Sequence, residues 1–335
     1  MKGTTTRREF LGRSLGITTS AALLGNSVLP AALQSQTPPQ SNAIRRPERF
    51  EESYIFDRKP FTWPGGKTLA IWVVPNVEVW HFDSPAGSAI SPNAANRVPD
   101  VINYSWREYG MRVGLWRIAD ILDEAGMRAT VALNSAVCAV YPKAVEEMKR
   151  RQWEFMGHGI TNTRTLAGLA LEEERQVIQM TLRTIEHATG RRPRGWLGPG
   201  LAETFNTLDL LAEEGVVFVG DWNSDDQPFR MKVKQGKMFA MPYGMDINDM
   251  SLLNRHAYTG EQYLRALTDQ FDTLYADSRK TARVMGIPLH PFLVGQPWRA
   301  PYLKRAIAHF RQHDSVWFAT GSEIVDAFEK LESSG

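Results

Sequence analysis

The residues best suited to chemistry stand at the ends of short apolar runs. The clearest is Trp153-Glu154-Phe155-Met156-Gly157-His158-Gly159-Ile160-Thr161-Asn162, which stops at a histidine held between two glycines. A strand that ends this way delivers an imidazole to a surface, and the flanking glycines permit a sharp turn and close approach of a ligand. Asn162, four residues on, is spaced to point at the same spot, so His158 and Asn162 could share one atom. An isolated histidine in this setting could equally be a strand-end side chain bonded to a neighbouring carbonyl. Other runs end in kind: Asn76-Val77-Glu78, with His81 and Asp83 beyond; Gly198-Pro199-Gly200; Asp221 through Asp226; and His290-Pro291-Phe292. Two histidines, several carboxylates and a glycine turn form the set that hydrolysis of an unactivated amide requires. Water must lose a proton to a base, the oxyanion must meet a metal or preorganised N–H groups, and the leaving nitrogen must gain a proton.

The elements that would bring these ends together alternate. Apolar β-rich runs at Leu69–Val74, Ala129–Leu133, up to Gly157, Gly195–Leu197, Val216–Val219, Met238–Met241, Pro288–Val294 and Val316–Phe318 take turns with helical patterns. The helices are expected over Tyr109–Glu124, Pro142–Arg151, Leu171–Thr189, Thr207–Glu214, Gly260 to about Met285, Tyr302–Gln312 and from Ser322. Strand and helix in turn mean a parallel sheet with helices outside. About seven such units without a mid-chain linker favour a barrel, whose chemistry gathers at the carboxyl ends of the strands.

The first 32 residues are set apart from this fold. Arg7-Arg8-Glu9-Phe10-Leu11, with an uncharged stretch from Ser14 to Ala32 beyond it, reads as a twin-arginine export signal, too mild for a stable membrane span. Residues 33–64 read as a linker and N-terminal extension, and 65–335 as one catalytic barrel. The leader carries Lys2, Arg7, Arg8 and Arg13 against Glu9. Removing it from 39 basic and 37 acidic residues leaves 35 against 36, which offers no electrostatic footprint for nucleic acid or anionic lipid. The single cysteine, Cys138, allows no internal disulfide, and its apolar neighbours argue against a reactive thiol.

The order of these motifs resembles the polysaccharide deacetylase superfamily, with its nodulation-factor deacetylase type of distorted (β/α) barrel. The resemblance is especially to a subgroup of metal-independent allantoinases, cyclic imide hydrolases and some peptidoglycan deacetylases, and it runs from about Gly65 to Phe328. It rests on Asn76-Val77-Glu78, His158 to Asn162, Arg192 to Gly200, Asp221 to Pro228 and Leu289-His290-Pro291, in that order. In the metal-using members the first strand ends in two aspartates, one a base and one a ligand, and the third carries two histidines four apart. Here Asn76 stands at the base position, Glu78 at the ligand position and Asn162 at that of the second histidine.

An asparagine amide cannot act as a general base, and as a ligand its oxygen is weaker toward zinc than an imidazole. The resemblance therefore implies either no cofactor or a weakly bound divalent metal such as zinc on Glu78, His158 and Asn162. Without a metal, Glu78 is the candidate base, with a pKa raised by its apolar strand, and His290 the proton donor. Asp226, or Asp225, would orient an imidazole or bind substrate N–H groups, Gly198 to Leu201 with Gly200 would supply an oxyanion contact, and Arg194 and Trp222 would line the pocket. Each has a plainer alternative: an ion pair for Glu78, packing for His290, an ordinary turn for Asp225 and Asp226, core placement for the tryptophans.

Three functions follow as expectations. The first is an exported hydrolase of a small cyclic amide, ureide or imide. The second is a metal-dependent N-deacetylase of a peptidoglycan-like or chitin-like amino sugar, and the third is a non-catalytic binding member. The expected partners are the substrate, the twin-arginine translocase during export and further copies of the chain, because the resembling subgroup forms homo-oligomers.

Overall fold

The structure is a computed structural model and describes residues 48–84 and 98–333. The leader expected over 1–32 and the linker up to residue 47 lie outside the described residues. The strands are β1 (Leu69–Val77), β2 (Thr130–Leu133), β3 (Glu154–Gly157), β4 (Gly195–Trp196), β5 (Phe218–Val219), β6 (Phe229–Met231), β7 (Met238–Ala240), β8 (Arg283–Leu289) and β9 (Val316–Phe318). The helices are α1 (Val101–Tyr109), α2 (Leu115–Glu124), α3 (Val137–Val140), α4 (Pro142–Arg150), α5 (Leu171–Thr189), α6 (Thr207–Glu213), α7 (Gly260–Asp277), α8 (Ala300–Phe310) and α9 (Gly321–Ser333). None is long and apolar enough to cross a membrane.

Seven strands run parallel in the spatial order β7-β5-β4-β3-β2-β1-β8, which is the distorted (β/α) barrel expected of about seven strands. β6 adds antiparallel to β7, and β9 pairs with the first half of β1. Among the described residues no ladder joins β7 to β8. That seam closes by close backbone packing instead: the Val284 N–H donates to the Asp226 carbonyl at 2.8 Å. Gly286 lies so near the next turn that a Cβ on it would fall 2.2 Å from the Pro242 oxygen.

The two-residue period of the strands decides what reaches the barrel mouth. Leu69, Ile71 and Val73 of β1 pack outward under the helices with Leu115, Ile118 and Leu303. Ala70, Trp72 and Val74 point inward and meet Phe218, Phe239 and Met241. Carrying the inward register two steps further gives Asn76 and Glu78. On β3 the inward Met156 is followed by His158, and on β8 the inward Val284 is followed, after three further steps of two, by His290. The apolar barrel floor and the polar mouth are one alternation read to its end.

The structure moves two expected elements. The helix expected over Tyr109–Glu124 is α1 and α2 joined by a π-helical turn over Gly110–Gly114, where Pro291 and Phe292 press against Gly114 and Gly110. The helix expected to reach Met285 stops at Asp277, and β8 begins at Arg283 rather than Pro288. A continuous ladder from Leu69↔Arg283 to Pro75↔Leu289 claims those residues for the sheet. Residues 49–63, within the expected N-terminal extension, pack on the barrel: Arg49 pairs with Asp209 at 3.2 Å, and buried Trp63 donates to the Arg283 carbonyl at 2.8 Å.

The seam makes a prediction. Gly286→Ala must push β8 from Pro242 and Tyr243, so denaturant unfolding should show a loss of about 1–3 kcal/mol or more. An unchanged midpoint would mean the seam yields freely.

Candidate active site

The mouth holds a pocket of ≈ 360 Å³ lined by Asn76, Glu78, His158, Asn162, Gly200 and His290, all expected from the sequence, together with Trp80, Trp106, Arg107, Tyr243, Asn248, Arg255 and Phe292. The carboxylate of Glu78 is its centre. Oε1 accepts a hydrogen bond from Asn162 Nδ2 at 2.8 Å, and it lies 3.4 Å from His158 Nε2 and 3.8 Å from His290 Nε2. Oε2 is buried and without a partner, as is Asn162 Oδ1. Two unsatisfied buried acceptors at the centre of a pocket call for a donor from water or substrate.

Each group is held from behind. His158 Nδ1 donates to the Leu197 carbonyl at 2.6 Å, the strand-end bond that a lone histidine would make, yet its other nitrogen faces Glu78. Gly159 takes φ +65°, the turn that carries the chain from His158 to Asn162. Asn134, at the end of β2, accepts from the Val79 N–H at 2.9 Å, and its own amide donates to the His158 carbonyl. The Asn162 N–H donates to the Val79 carbonyl at 2.9 Å. One buried amide and one backbone bond thus tie the ends of β1, β2 and β3 together around Glu78 and His158. Asn76 is buried against Tyr243: its Nδ2 donates to the hydroxyl at 2.8 Å, and its Oδ1 lies 3.0 Å from it.

Behind His290 stands Asp249, fully buried, whose Oδ1 lies 2.6 Å from His290 Nδ1 and whose Oδ2 accepts the His290 N–H at 2.7 Å. Asp249 thus takes the orienting position that the sequence reading gives to Asp226. The signal for it was present as an isolated carboxylate in Met245-Asp246-Ile247-Asn248-Asp249-Met250, but no strand end leads to it. Arg107 of α1, over the Trp80 ring at 3.9 Å, was also missed, because nothing in the α1 pattern marks it as facing a strand end.

Four expected site residues lie elsewhere. Asp225 is ion-paired with Arg58 at 2.5 Å and caps the Gln227 N–H, so it is a turn residue anchoring the N-terminal segment. Asp226 lies 3.7 Å from Arg283 Nε on the seam. The reason is that the chain after β5 leaves the mouth and crosses to the start of β8. Arg194 precedes β4 and so sits at the amino end of the barrel, paired with Asp326 of α9 at 2.6 Å. Trp222 packs on Phe50 and donates to Glu203 at 3.1 Å. Of the expected oxyanion donors, the Gly198 N–H is taken by Asp221 at 2.8 Å and the Leu201 N–H by the Gly198 carbonyl at 2.8 Å, which leaves that of Gly200. Cys138 is half-buried and burial pushes its thiol up to about 11, in keeping with an inert thiol.

The electrostatics reverse one expectation. Burial pushes the Glu78 carboxyl up, as expected of an apolar strand. The hydrogen bond from His158 and the charges of His290, His158 and Arg107 outweigh it and hold Glu78 below the ordinary value of 4.5. For His290, burial pushes down, and Asp249 by charge and hydrogen bond, with Glu78, raises it above 6.5. The shifts thus favour the ionised form of Glu78, the form a base needs, and the protonated form of His290, the form an acid needs.

The set was tested for a metal. A carboxylate has no donor, so only the N–H end of the Asn162 amide can face Glu78 Oε1, and that oxygen is spent on it. Among the described residues, the ligand atoms of Glu78, His158 and His290 do not come within 4.8 Å of one another as a group. A metal on Glu78, His158 and Asn162 would therefore need the Asn162 amide turned over, so that its oxygen rather than its N–H faces the ion.

Residues 107–219 match the family model for polysaccharide deacetylase. A probable polysaccharide deacetylase of Pseudomonas aeruginosa PAO1 superposes with TM-score 0.72 at 27% identity, covering 80% of this chain and 93% of that one. Over residues 107–219 this chain is similar to the polysaccharide deacetylase domain. A deacetylase provisionally designated as such from Mycobacterium smegmatis superposes with TM-score 0.69 at 25% identity, over 82% of this chain and 95% of that one. PuuE allantoinase has the same fold, with TM-score 0.75 at 24% identity over 86% of this chain and 98% of its own. Among curated proteins none matches. The deacetylase domain places the chain with hydrolases of carbon–nitrogen bonds other than peptide bonds.

Two predictions follow. The pH profile of kcat/KM should be bell-shaped, with an acid limb below 4.5, where Glu78 protonates, and an alkaline limb above 6.5, where His290 loses its proton. Asp249→Asn removes the charge that raises His290, so the alkaline limb should move down in pH; a profile unmoved by it would detach Asp249 from the proton donor. Asn134→Ala releases both strand ends and should lower kcat/KM by about 100-fold, the usual cost of an ångström-scale misplacement, with the fold retained by circular dichroism.

Proposed function

We propose that the deacetylase domain of this chain hydrolyses a small cyclic amide, a ureide or imide, without a metal. The observation that carries this reading is the Glu78–Asn162 contact, in which an ionised carboxylate keeps Oε2 unpaired and buried beside an unpaired Asn162 Oδ1. A water on Oε2 is the nucleophile, and the N–H groups of a ureide or imide ring satisfy the remaining acceptor.

Glu78 takes the proton of the attacking water, and His158 holds the carboxylate in place. The Gly200 N–H faces the developing oxyanion, and His290 Nε2–H, fixed by Asp249, gives its proton to the leaving ring nitrogen. Trp80, Trp106 and Phe292 close an apolar wall around a pocket of ≈ 360 Å³, a size that suits a small ring. Export by the twin-arginine pathway and assembly into homo-oligomers belong to the same proposal, and the likeness of the fold to PuuE allantoinase supports its substrate class.

The second reading, a metal-dependent N-deacetylase of an amino sugar, draws on the family match over residues 107–219. Chelator-treated protein assayed on allantoin, succinimide and an N-acetylated chitin oligomer separates the two. The proposal expects chelator-resistant ring opening that Glu78→Gln reduces about 10²–10⁴-fold. Deacetylation of the sugar that requires added zinc would establish the second reading.

A further inference from the structure

Outside the pocket, α7 and α8 bring together three side chains that the deacetylase chemistry does not use. Asp272 of α7 and His309 of α8 are in contact, with Oδ1 2.7 Å from Nε2, and His313 follows one turn after His309. One ligand atom from each of the three lies within 4.8 Å of the other two. We propose that this face binds one divalent transition-metal ion of the zinc class, as a clamp between α7 and α8 and apart from the reaction.

The chemistry of the set suits such an ion. Two imidazoles and one carboxylate are borderline ligands of the kind zinc takes, and three protein ligands leave a position for water. Ligands sharing an ion at ~2.1 Å stand ~3.4 Å apart in a tetrahedral site. The 2.7 Å Asp272–His309 contact therefore has to open to admit an ion, and any separation in the set near 4.8 Å has to shorten, both movements of side chains at a partly exposed face.

The two histidines are also positioned in advance. His313 Nδ1 lies 3.1 Å from the His309 carbonyl, and a proton on it leaves the lone pair on Nε2. The Phe271 ring packs 5.4 Å from His309 and 4.8 Å from His313, and Tyr275 lies 4.7 Å from His313. A cation here also faces the C-terminal end of α8, where the helix dipole is negative. Asp272 and His309 keep 56% and 32% of their side-chain surface exposed, so an ion reaches the site from solvent. At that exposure an Asp–His pair by itself adds little stability.

The test is titration of the chelated full chain with Zn²⁺ by calorimetry, with thermal unfolding alongside. The wild type should take up one equivalent and unfold at higher temperature with zinc than without. The near-isosteric Asp272→Asn and the double variant His309→Ala/His313→Ala should lose at least ~10-fold in affinity, with unchanged circular dichroism and unchanged hydrolase activity. Absence of uptake by the wild type would overturn the proposal. So would uptake that survives the double variant, or uptake abolished by His158→Ala, since the ion would then belong to the pocket. Because binding and melting are read without substrate, absence of uptake overturns this proposal alone, whereas uptake lost with His158→Ala would overturn the metal-free hydrolase reading as well.

Discussion

A carboxylate buried at the end of the central strand is the constraint on which the rest of the mouth depends. Taking an ionised Glu78 out of water costs several kcal/mol unless charges and donors around it repay the loss. His158 and the Asn162 amide, both from the turn after β3, do so together with His290 after β8 and Arg107 of α1. Remove the carboxylate and these groups have no common partner. The result is a carboxylate and an imidazole 3.8 Å apart whose pKa values are pushed in opposite directions, down for Glu78 and up for His290.

The strand order explains how the ends of β3 and β8 reach one oxygen atom of Glu78. β1 lies between β2 and β8, so its end is flanked on one side by Asn134 and His158 and on the other by His290. The inward register that fills the barrel with Trp72, Val74 and Met156 is the same register that presents Asn76, Glu78 and His158 above it. The open seam between β7 and β8 lets the segment after β7 run under the mouth and bring Tyr243 and Asp249 to the site from below. Stability and reactivity share this geometry, because the packing that closes the seam also fixes the base of His290.

Much of this was legible in the residues. The alternation of strand and helix, the glycine-flanked His158, and the inward pair Asn76 and Glu78 all follow from periodicity and strand ends. What the sequence concealed depends on tertiary choices. Asp225 and Asp226 read as site carboxylates because they follow a strand, but the chain after β5 turns toward β8, where Arg58 and Arg283 take them. Asp249 escaped notice because no strand end points to it. Glu78 was expected to have a raised pKa from its apolar strand, and only the folded arrangement shows that the hydrogen bond from His158 and the charges facing the carboxylate outweigh burial.

The measurement that bears most directly on the metal-free reading of Glu78 is anomalous diffraction at the zinc edge, on crystals of catalytically competent protein supplied with stoichiometric zinc. The account predicts no anomalous peak among Glu78, His158 and Asn162, and an ordered water on Glu78 Oε2. A peak bonded to Glu78, His158 and Asn162 in active crystals would contradict it and make the carboxylate a ligand rather than the base.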